Sequence, residues 1–348
     1  MAFQVCEETG QAVSEGVIAL FNQTRRHEKD LARFDWLYRQ NPDGPAVVWT
    51  VRDASNGELA GFTVALPRRM LVDGRPRNCW NCADFSMDQR YRTLGPAIKL
   101  RRAAKDGVDA GKVDFLYAHP NARMEVIHTK VGHFKVGRMV RMARPLRSAP
   151  YLQEKLKSRA LAAVGGLMID PLLRISGKET RHRAGCTVRR LDLASFDQSF
   201  DLLFEEAAPR QGIIGIRDAT YLNWRYARNP LYCPHVLIAE KNSRLRGYLV
   251  FVIDEGMAHV KDIFPPGDRH TARDLIAALL KAARREHVQS VSVIALESHP
   301  LLAVFEEFGF QMRSEGSSMY AYARPNDPWG AQVGEKGDWS LTVGDRDV

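Results

Sequence analysis

Trp36-Leu-Tyr38-Arg-Gln-Asn41-Pro42 stands near the start of the chain, and Trp224-Arg-Tyr226-Ala-Arg-Asn229-Pro230 repeats its pattern past the middle. Three further landmarks recur in the same order: a carboxylate after a strand-like run, a His-Pro pair, and a glycine ahead of phenylalanine. They are Asp84 and Asp262, His119-Pro120 and His299-Pro300, and Gly132-His-Phe134 and Gly309-Phe310. The offsets between the two sets lie between 177 and 188 residues. Because the offset is nearly constant, the sequence predicts two copies of one domain, each of about 150 residues.

The composition fits a globular protein with two ordinary cores. The chain has 348 residues, of which 45% are hydrophobic and 26% are charged, so it is not of the disordered class. It contains no apolar run of roughly 18 residues, and no transmembrane helix is predicted. Five cysteines are few and odd in number, which favours a reducing compartment. We therefore expect a cytoplasmic protein.

The net charge of +9 is unevenly distributed along the chain. Residues 1–150 hold 24 Lys and Arg against 16 Asp and Glu, whereas residues 186–348 hold 19 against 22. A basic first copy predicts an anionic partner for that copy. Nucleic acid is disfavoured as that partner because the sequence has no zinc-finger, helix-turn-helix or RNP-type signature. A phosphorylated cofactor, an acidic carrier protein and an anionic membrane surface all fit the charge.

Hydrophobic periodicity and turn residues predict the elements of the first copy. The expected order is two helices, an antiparallel meander, a glycine-containing turn into a helix, and then strand, helix and strand. The helices are expected over residues 9–21, 28–38, 98–106 and 119–130, and the strands over 47–51, 59–66, 78–87 and 113–117, with a last strand after Gly132. Both copies follow this order, so the predicted class is α+β, with a mixed, mostly antiparallel sheet flanked by helices in each copy.

The segment Arg92-Thr-Leu-Gly95-Pro-Ala97 follows a predicted strand and opens a predicted helix. Amides at a helix N-terminus favour anions, and a glycine lets the backbone approach a phosphate closely. Pro96 suits the first helical turn, but it removes one amide that could have bound phosphate. Taken alone, the pattern is more typical of an ordinary strand–turn–helix than of a phosphate site.

The order of strand, Arg-x-x-Gly-x-Ala helix, strand, Asn121 and then Gly132-His-Phe134 resembles the GNAT acyltransferase family. The resemblance extends over both copies, so the chain looks like two GNAT-like domains in tandem. It implies an N-acyltransferase that takes an acyl group, most simply acetyl, from acetyl-CoA or another acyl-CoA as cosubstrate. The implied CoA-binding residues are those of the turn and the asparagine: Arg90, Arg92, Thr93, Leu94, Gly95, Ala97 and Asn121.

The same resemblance implies two catalytic residues. GNAT enzymes commonly use a carboxylate on the fourth strand as a base, and Asp84 fits that place. They commonly use a tyrosine four residues before the late glycine as an acid, and His128 stands there instead. An imidazole can protonate a thiolate near neutral pH. The alternatives are an ion pair with an arginine for Asp84, a half-exposed helix position for His128, and a helix-capping role for His119, a third candidate.

The second copy lacks these features, because Pro265, Pro266 and Asp268 replace the glycine turn and Phe305 takes the place of the acid. Prolines remove amide donors, and a carboxylate repels phosphate. The predicted organisation is a catalytic domain over residues 1–147, a helical linker over 148–185, a degenerate domain over 186–325, and a surface tail over 326–348. Trp329 and Trp339 are possible anchors of that tail.

Three functions remain open from the sequence. The first is an acyl-CoA-dependent N-acyltransferase that acts on an amine of a small molecule or sugar, with the acceptor unidentified. In the second, an acyl carrier protein replaces CoA as the donor, which suits a basic surface. The third is a tandem GNAT scaffold or anion-binding module without catalysis, which the degenerate second copy favours. No metal site is predicted.

Overall fold

The protein is described by a computed structural model that covers residues 2–24, 31–175, 177–191, 195–334 and 338–346. Its strands, numbered in chain order, are β1 Phe3–Thr9, β2 Val47–Asp53, β3 Leu59–Val72, β4 Arg75–Met87, β5 Phe115–Ala118, β6 Phe134–Pro145, β7 Thr187–Leu191, β8 Ile213–Gly215, β9 His235–Lys241, β10 Arg244–Asp254, β11 Met257–Phe264, β12 Ser290–Leu296 and β13 Gln311–Ala323. Its α-helices are α1 Glu15–Gln23, α2 Leu31–Phe34, α3 Leu94–Asp109, α4 Ala122–Lys130, α5 Ala149–Leu156, α6 Arg159–Ile175, α7 Lys178–Arg181, α8 Gln198–Ala207, α9 Ala219–Leu222, α10 Arg269–Arg285, α11 Leu302–Glu307 and α12 Gly330–Val333.

The strands form one sheet in the order β1-β2-β3-β4-β5-β13-β6-β12-β11-β10-β9-β7, with β8 paired on β3. Within the described part of the chain, β4 with β5 and β11 with β12 are the parallel pairs, and the other pairs are antiparallel. The predicted α+β class, with a mixed and mostly antiparallel sheet, is therefore confirmed.

The last strands of the two predicted domains are exchanged. β13 lies between β5 and β6, and β6 in turn pairs with β12. Each half therefore completes the sheet of the other, and the backbone hydrogen bonds run without a break from the first half into the second. The predicted domain boundaries at residues 147 and 186 stay a prediction. The sheet is continuous through both halves, so it does not divide at either position.

The N-terminal segment differs from the sequence-based prediction. Residues 3–9 form an edge strand paired antiparallel with β2, and the helix begins at Glu15 rather than at Thr9. Short apolar runs satisfy helical and strand spacing equally well, so the sheet partner decides between them. The second predicted helix, over 28–38, is replaced by α2 and a single π-helical turn, Asp35–Arg39. Residues 28–30 of that prediction lie outside the described residues.

The repeated tryptophan motif lies where the two halves meet. Each copy folds as a π-helical turn, Asp35–Arg39 and Asn223–Ala227. The indole of Trp36 donates to the Trp224 carbonyl at 2.9 Å, and the indole of Trp224 donates to the Trp36 carbonyl at 3.0 Å. The two rings stack with centroids 5.1 Å apart. Because both indole N–H groups are satisfied while both rings are buried, this reciprocal pair joins the halves with polar and apolar contacts at once.

Residues 339–345 of the C-terminal segment are part of the core, so the predicted surface position is wrong for them, whereas residues 326–332 are exposed or half-buried. Trp339 and Leu341 are fully buried, and Trp339 packs edge-on against Phe115 of β5. Burying one large aromatic side chain stabilises a fold by about 2–3 kcal/mol. The glycines and aspartates around these apolar residues suggested a solvated tail, but the alternation of Trp339, Leu341 and Val343 marks a buried extended segment.

No helix in the described ranges is both long and apolar enough to cross a membrane.

Candidate active site

Strands β4 and β5 diverge in the middle of the first half. They pair in parallel from Cys79 opposite Phe115 to Cys82 opposite Ala118, where β5 ends. β4 continues to Met87 without that partner. A register shift between β3 and β4 also places an extra residue at Ala83–Asp84. Bulges of this kind turn a side chain away from the regular alternation, and here the bulge lies at the point of divergence.

A cavity of about 500 Å³ opens at this wedge. Its lining comes from both halves of the chain: Phe21, Arg33, Cys82, Ala83, Asp84, Phe85, Arg101, Ala118, His119, Pro120, Asn121, Met124 and His128 from the first half, and Leu231, Tyr232, Lys261 and Arg346 from the remainder. This volume is in the range of small-molecule sites, which is roughly 300–1,000 Å³. Two other hollows, of about 440 and 590 Å³, contain neither predicted catalytic residue.

Asp84 is buried and held by two side chains. Arg33 donates two hydrogen bonds to its carboxylate, at 2.9 and 3.1 Å, and the Tyr38 hydroxyl donates a third at 2.8 Å. A carboxylate that accepts a bidentate arginine and a phenol is stabilised in its charged form. The ion pair that the sequence left as an alternative is therefore present. Asp84 as a base stays a prediction, and the geometry favours a positioning role for it.

His128 is buried, not half-exposed, and its Nδ1 lies 2.9 Å from Nδ1 of His133. Burial, together with the nearby charge of Arg101, holds the pKa of His128 well below its ordinary value of 6.5. The imidazole is therefore neutral at pH 7. This argues against the expectation that His128 is the protonated acid, since the neutral ring is instead a proton acceptor.

His119 lies at the end of β5, where the strands diverge. Both of its ring nitrogens are buried without a hydrogen-bond partner in the part of the chain that the structure describes. Burial lowers its pKa to about 3, so it too is neutral. Asn121 follows, and its side chain caps α4 by accepting from the Met124 amide at 3.1 Å. The predicted helix-capping role thus belongs to Asn121, and the His119 ring faces the cavity.

The N-terminus of α3 is open. Thr93 precedes the helix and, among the described contacts, makes no side-chain capping hydrogen bond. A Cβ added at Gly95 would meet nothing within 4 Å. The first amides of a helix lack intrahelical partners and carry a partial positive charge, so this end can hold a phosphate. Leu94 is 52% exposed and Ala97 is buried beneath the turn.

The corresponding helix of the second half is closed by its own sequence. Asp268 accepts from the amides of His270 and Thr271 at the start of α10, so these donors are occupied by a carboxylate. The wedge between β11 and β12 is also filled. Thr342 pairs with Ala295 of β12, and its hydroxyl donates to Asp262 of β11 at 3.1 Å. The buried C-terminal segment therefore occupies, in the second half, the space that is a cavity in the first.

The basic residues around the α3 turn divide into two groups. Arg90 is exposed but paired with Asp88 and Glu58, and Arg92 donates to the Met87 carbonyl at 3.3 Å. Lys99 and Arg102 are exposed on the outer face of α3. Arg101, which lies between them in sequence, is not on this exposed surface. It is 2% exposed and lines the cavity.

Sequence reasoning did not identify four of the residues that line the cavity: Arg101, Tyr232, Lys261 and Arg346. A signal existed for Arg101, because it shares the buried face of α3 with Ala97, Leu100 and Ala104 at helical spacing. No local signal marks the other three, since they reach the first-half wedge only through the packing of the two halves.

No family model matches the chain, and no curated protein matches it in sequence. A solved structure from Enterococcus faecalis V583, described as a conserved protein of unknown function and probable N-acyltransferase, is similar with a TM-score of 0.65 and 13% identity. The similarity covers 93% of this chain and 73% of that one.

Two further structures are similar over nearly the whole chain. A GCN5-related N-acetyltransferase from Anabaena variabilis has a TM-score of 0.65 and 13% identity, covering 92% of this chain and 73% of its own. Saccharomyces cerevisiae N-myristoyltransferase with bound myristoyl-CoA has a TM-score of 0.56 and 13% identity, covering 92% and 82%. At such identities the likeness shows the fold, and the GNAT fold expected from the sequence is confirmed.

Proposed function

We propose that the protein is an acyl-CoA-dependent N-acyltransferase with its active site in the first half. The observation that carries the proposal is the divergence of β4 and β5 into a buried cavity next to an uncapped helix N-terminus. The similar solved structures, which are described as acyltransferases, support it. Acetyl is the proposed acyl group, and the length of the acyl chain is part of the proposal to be tested.

The residues of the α3 turn fit the phosphates of CoA. Gly95 leaves open space for them. The first amides of α3, which no described side chain caps, supply the hydrogen-bond donors. Arg92 and Asn121, at the start of α3 and of α4, flank the wedge, whereas Arg90 would first have to leave Asp88 and Glu58. When bound, acyl-CoA supplies a thioester, whose carbonyl carbon is open to attack by an amine.

The proposed proton transfer uses a neutral histidine. The acceptor amine must lose a proton as it attacks, and His128 lines the cavity in its basic form. We propose that it accepts this proton, and that its partner His133 fixes the ring through the 2.9 Å contact. Arg33 and Tyr38 hold the Asp84 carboxylate in place at the wedge, where it orients the amine.

Calorimetric titration with free CoA, acetyl-CoA and longer acyl-CoAs tests the proposal directly. We expect binding at one site per chain and transfer to an amine in a coupled thiol-release assay. Absence of binding by every thioester would overturn the enzyme hypothesis. Binding without transfer to any amine would instead favour the non-catalytic scaffold that the sequence left open.

His128→Phe is expected to lower kcat by about 100-fold, which is typical of a lost acid–base group, with little change in CoA affinity. The wild-type rate should be flat near neutral pH and fall in acid, because protonation removes the accepting lone pair once the pH approaches the lowered pKa. The pH–rate profile and titration with CoA provide the two readouts. His270→Phe, at an exposed position in the second half, is the matched control. An unchanged rate in H128F would contradict the assignment.

An acyl carrier protein is the second candidate donor, and the exposed pair Lys99 and Arg102 favours it. They lie three residues apart on one face of α3, in the basic first half. A carrier protein is recognised over a wide surface through attraction that salt screens, with a Debye length of about 8 Å at physiological ionic strength.

Reversing both charges, as K99E with R102E, is expected to leave turnover of free acyl-CoA intact and to abolish transfer from a carrier, if a carrier is the donor. The rates with both donors at two salt concentrations give the measurement. K281E with R285E, an exposed pair on α10, is the control. Efficient use of the free thioester with no use of a carrier-bound one would eliminate the carrier as donor.

A further inference from the structure

The cavity carries more positive charge than its own residues neutralise. Among the residues that the structure describes, four cationic side chains line it, Arg33, Arg101, Lys261 and Arg346, against the single carboxylate of Asp84. Asp84 is paired with Arg33. In the described part of the chain, none of the other three cations forms an ion pair with a carboxylate, so the described lining has an excess of positive charge.

Of the three cations, Arg101 gives the strongest evidence for a bound anion. Its guanidinium is buried, and its Nη2 donates to the Thr63 hydroxyl at 3.1 Å. Its Nε and Nη1 have no hydrogen-bond partner among the described residues. A buried cation without a counter-charge is strongly unfavourable, so proteins rarely keep one that does not meet an anion in function.

The other two cations that line the cavity come from the second half of the chain. Lys261 lies on β11 of the second half, with its ammonium 5.0 Å from the centroid of the Tyr232 ring. Arg346 ends the described C-terminal segment, and its buried Nε also lacks a partner among the described residues. The Tyr232 hydroxyl beside them is likewise buried and unpartnered there. An anion between these groups would therefore be bound by both halves.

This position is separate from the proposed phosphate site at Gly95. Arg101 lies seven residues along α3 from Leu94, which is on the order of 10 Å along the helix axis. It faces inward, whereas the α3 N-terminus is exposed. The CoA phosphates and this second anion would thus occupy different places.

We propose that the acceptor is a small amine that itself carries a carboxylate or phosphate group, bound inside the cavity by Arg101, Lys261 and Arg346. The proposal rests on the proposed acyltransferase function, and it names the class of acceptor. The cavity volume fits such a molecule, and the neutral His128 on the same wall accepts the amine proton.

The anion site is tested without catalysis, by thermal melting of the full chain in inorganic phosphate or acetate against sodium chloride of equal ionic strength. Wild type is expected to gain about 4 °C at saturating anion. Arg101→Met should lose that gain, and without anion it should melt no lower than wild type, because an uncompensated charge has been removed. Arg102→Met, the exposed neighbour, is the control and should keep the gain.

Equal anion responses in R101M and R102M would overturn the site. So would an R101M protein that melts lower than wild type but keeps the response, since Arg101 would then be structural. If R101M does not fold, Arg346→Met provides the same test from the second half of the chain, with the same expected loss.

The acceptor class is tested by acyl transfer to matched amines. Glycine is compared with glycinamide, and glucosamine 6-phosphate with glucosamine, using acetyl-CoA. We expect at least about tenfold higher kcat/KM for the charged member of one pair, lost in R101M, and the preferred pair separates carboxylate from phosphate. Equal rates within both pairs would overturn the proposal. If no acyl-CoA binds and no amine reacts, the proposed function fails, and an Arg101-dependent phosphate response would still establish the anion site.

Discussion

Gly95→Glu should weaken acyl-CoA binding by about 1,000-fold and remove turnover. The position is open, since an added Cβ meets nothing within 4 Å, so the substitution should not disturb the fold. The glutamate would place a negative charge at the amides proposed to hold the phosphates. Losing two charge-assisted hydrogen bonds, at roughly 1.5–3 kcal/mol each, accounts for that factor. Titration with CoA and the melting temperature of the variant measure the two effects.

The control adds the same charge to the other end of the same helix. Ala110→Glu, just beyond the exposed C-terminus of α3, should leave CoA binding intact. Titration should also give one CoA per chain, because Asp268 caps α10 and Thr342 fills the second wedge. Two equivalents per chain, or normal binding by Gly95→Glu, would contradict the proposed site.

Asp345→Ala is expected to lower the free energy of unfolding by about 3–5 kcal/mol, the usual effect of breaking a buried ion pair from one side. Its carboxylate accepts from Arg217 at 2.7 Å, and Arg68 lies 3.7 Å away. Arg217 also binds Asp262 at 3.0 Å, and Arg68 also contacts Asp43 at 3.4 Å, so Asp345 joins two buried ion pairs into one network. Removing Asp345 would take away the carboxylate that both buried arginines share. Urea unfolding of the variant and of wild type measures the difference.

The pH dependence of this difference has a definite sign. Burial raises the pKa of Asp345, but Arg217 and Arg68 outweigh it and hold the pKa below its ordinary value of 3.8. A lowered carboxylate pKa stabilises the fold above pH 4, and the gain is lost as the pH falls through the folded-state value. Wild type and variant should therefore converge in strong acid. Asp338→Ala, an exposed aspartate in the same segment, is the control, and an equal loss there would contradict the ion-pair explanation.

Local patterns predicted the parts of the site that one segment builds. Strand β4 ends near Asp84, α3 begins at the Gly95 turn, and Asn121 begins α4, because turn residues and apolar spacing act over a few residues. The edge strand at residues 3–9 was not predicted, and the first helix was predicted to begin at Thr9 rather than at Glu15, because only pairing with β2 identifies the strand.

Protonation states were beyond sequence reasoning. His128 is in the predicted place, but its charge depends on burial and on Arg101, which lies on another helix. The hydrogen-bond partners of Asp84, Arg33 and Tyr38, are likewise distant in sequence, at 46 to 51 residues away. Electrostatic effects fall off with distance in space, and chain separation says little about that distance.

The sequence by itself determined that the motif of Trp36 recurs at Trp224, that the class is α+β, and that the first half alone has a glycine turn suited to phosphate. Each of these rests on residue order within a short segment. Only the tertiary structure decided that β6 and β13 exchange between the halves, that the C-terminal segment fills the second wedge, and that Lys261 and Arg346 line the same cavity as Arg101. Those contacts join residues far apart in the chain, Thr342 and Asp262 for example by 80 positions, and their strengths depend on burial and complementary packing, which no local pattern encodes.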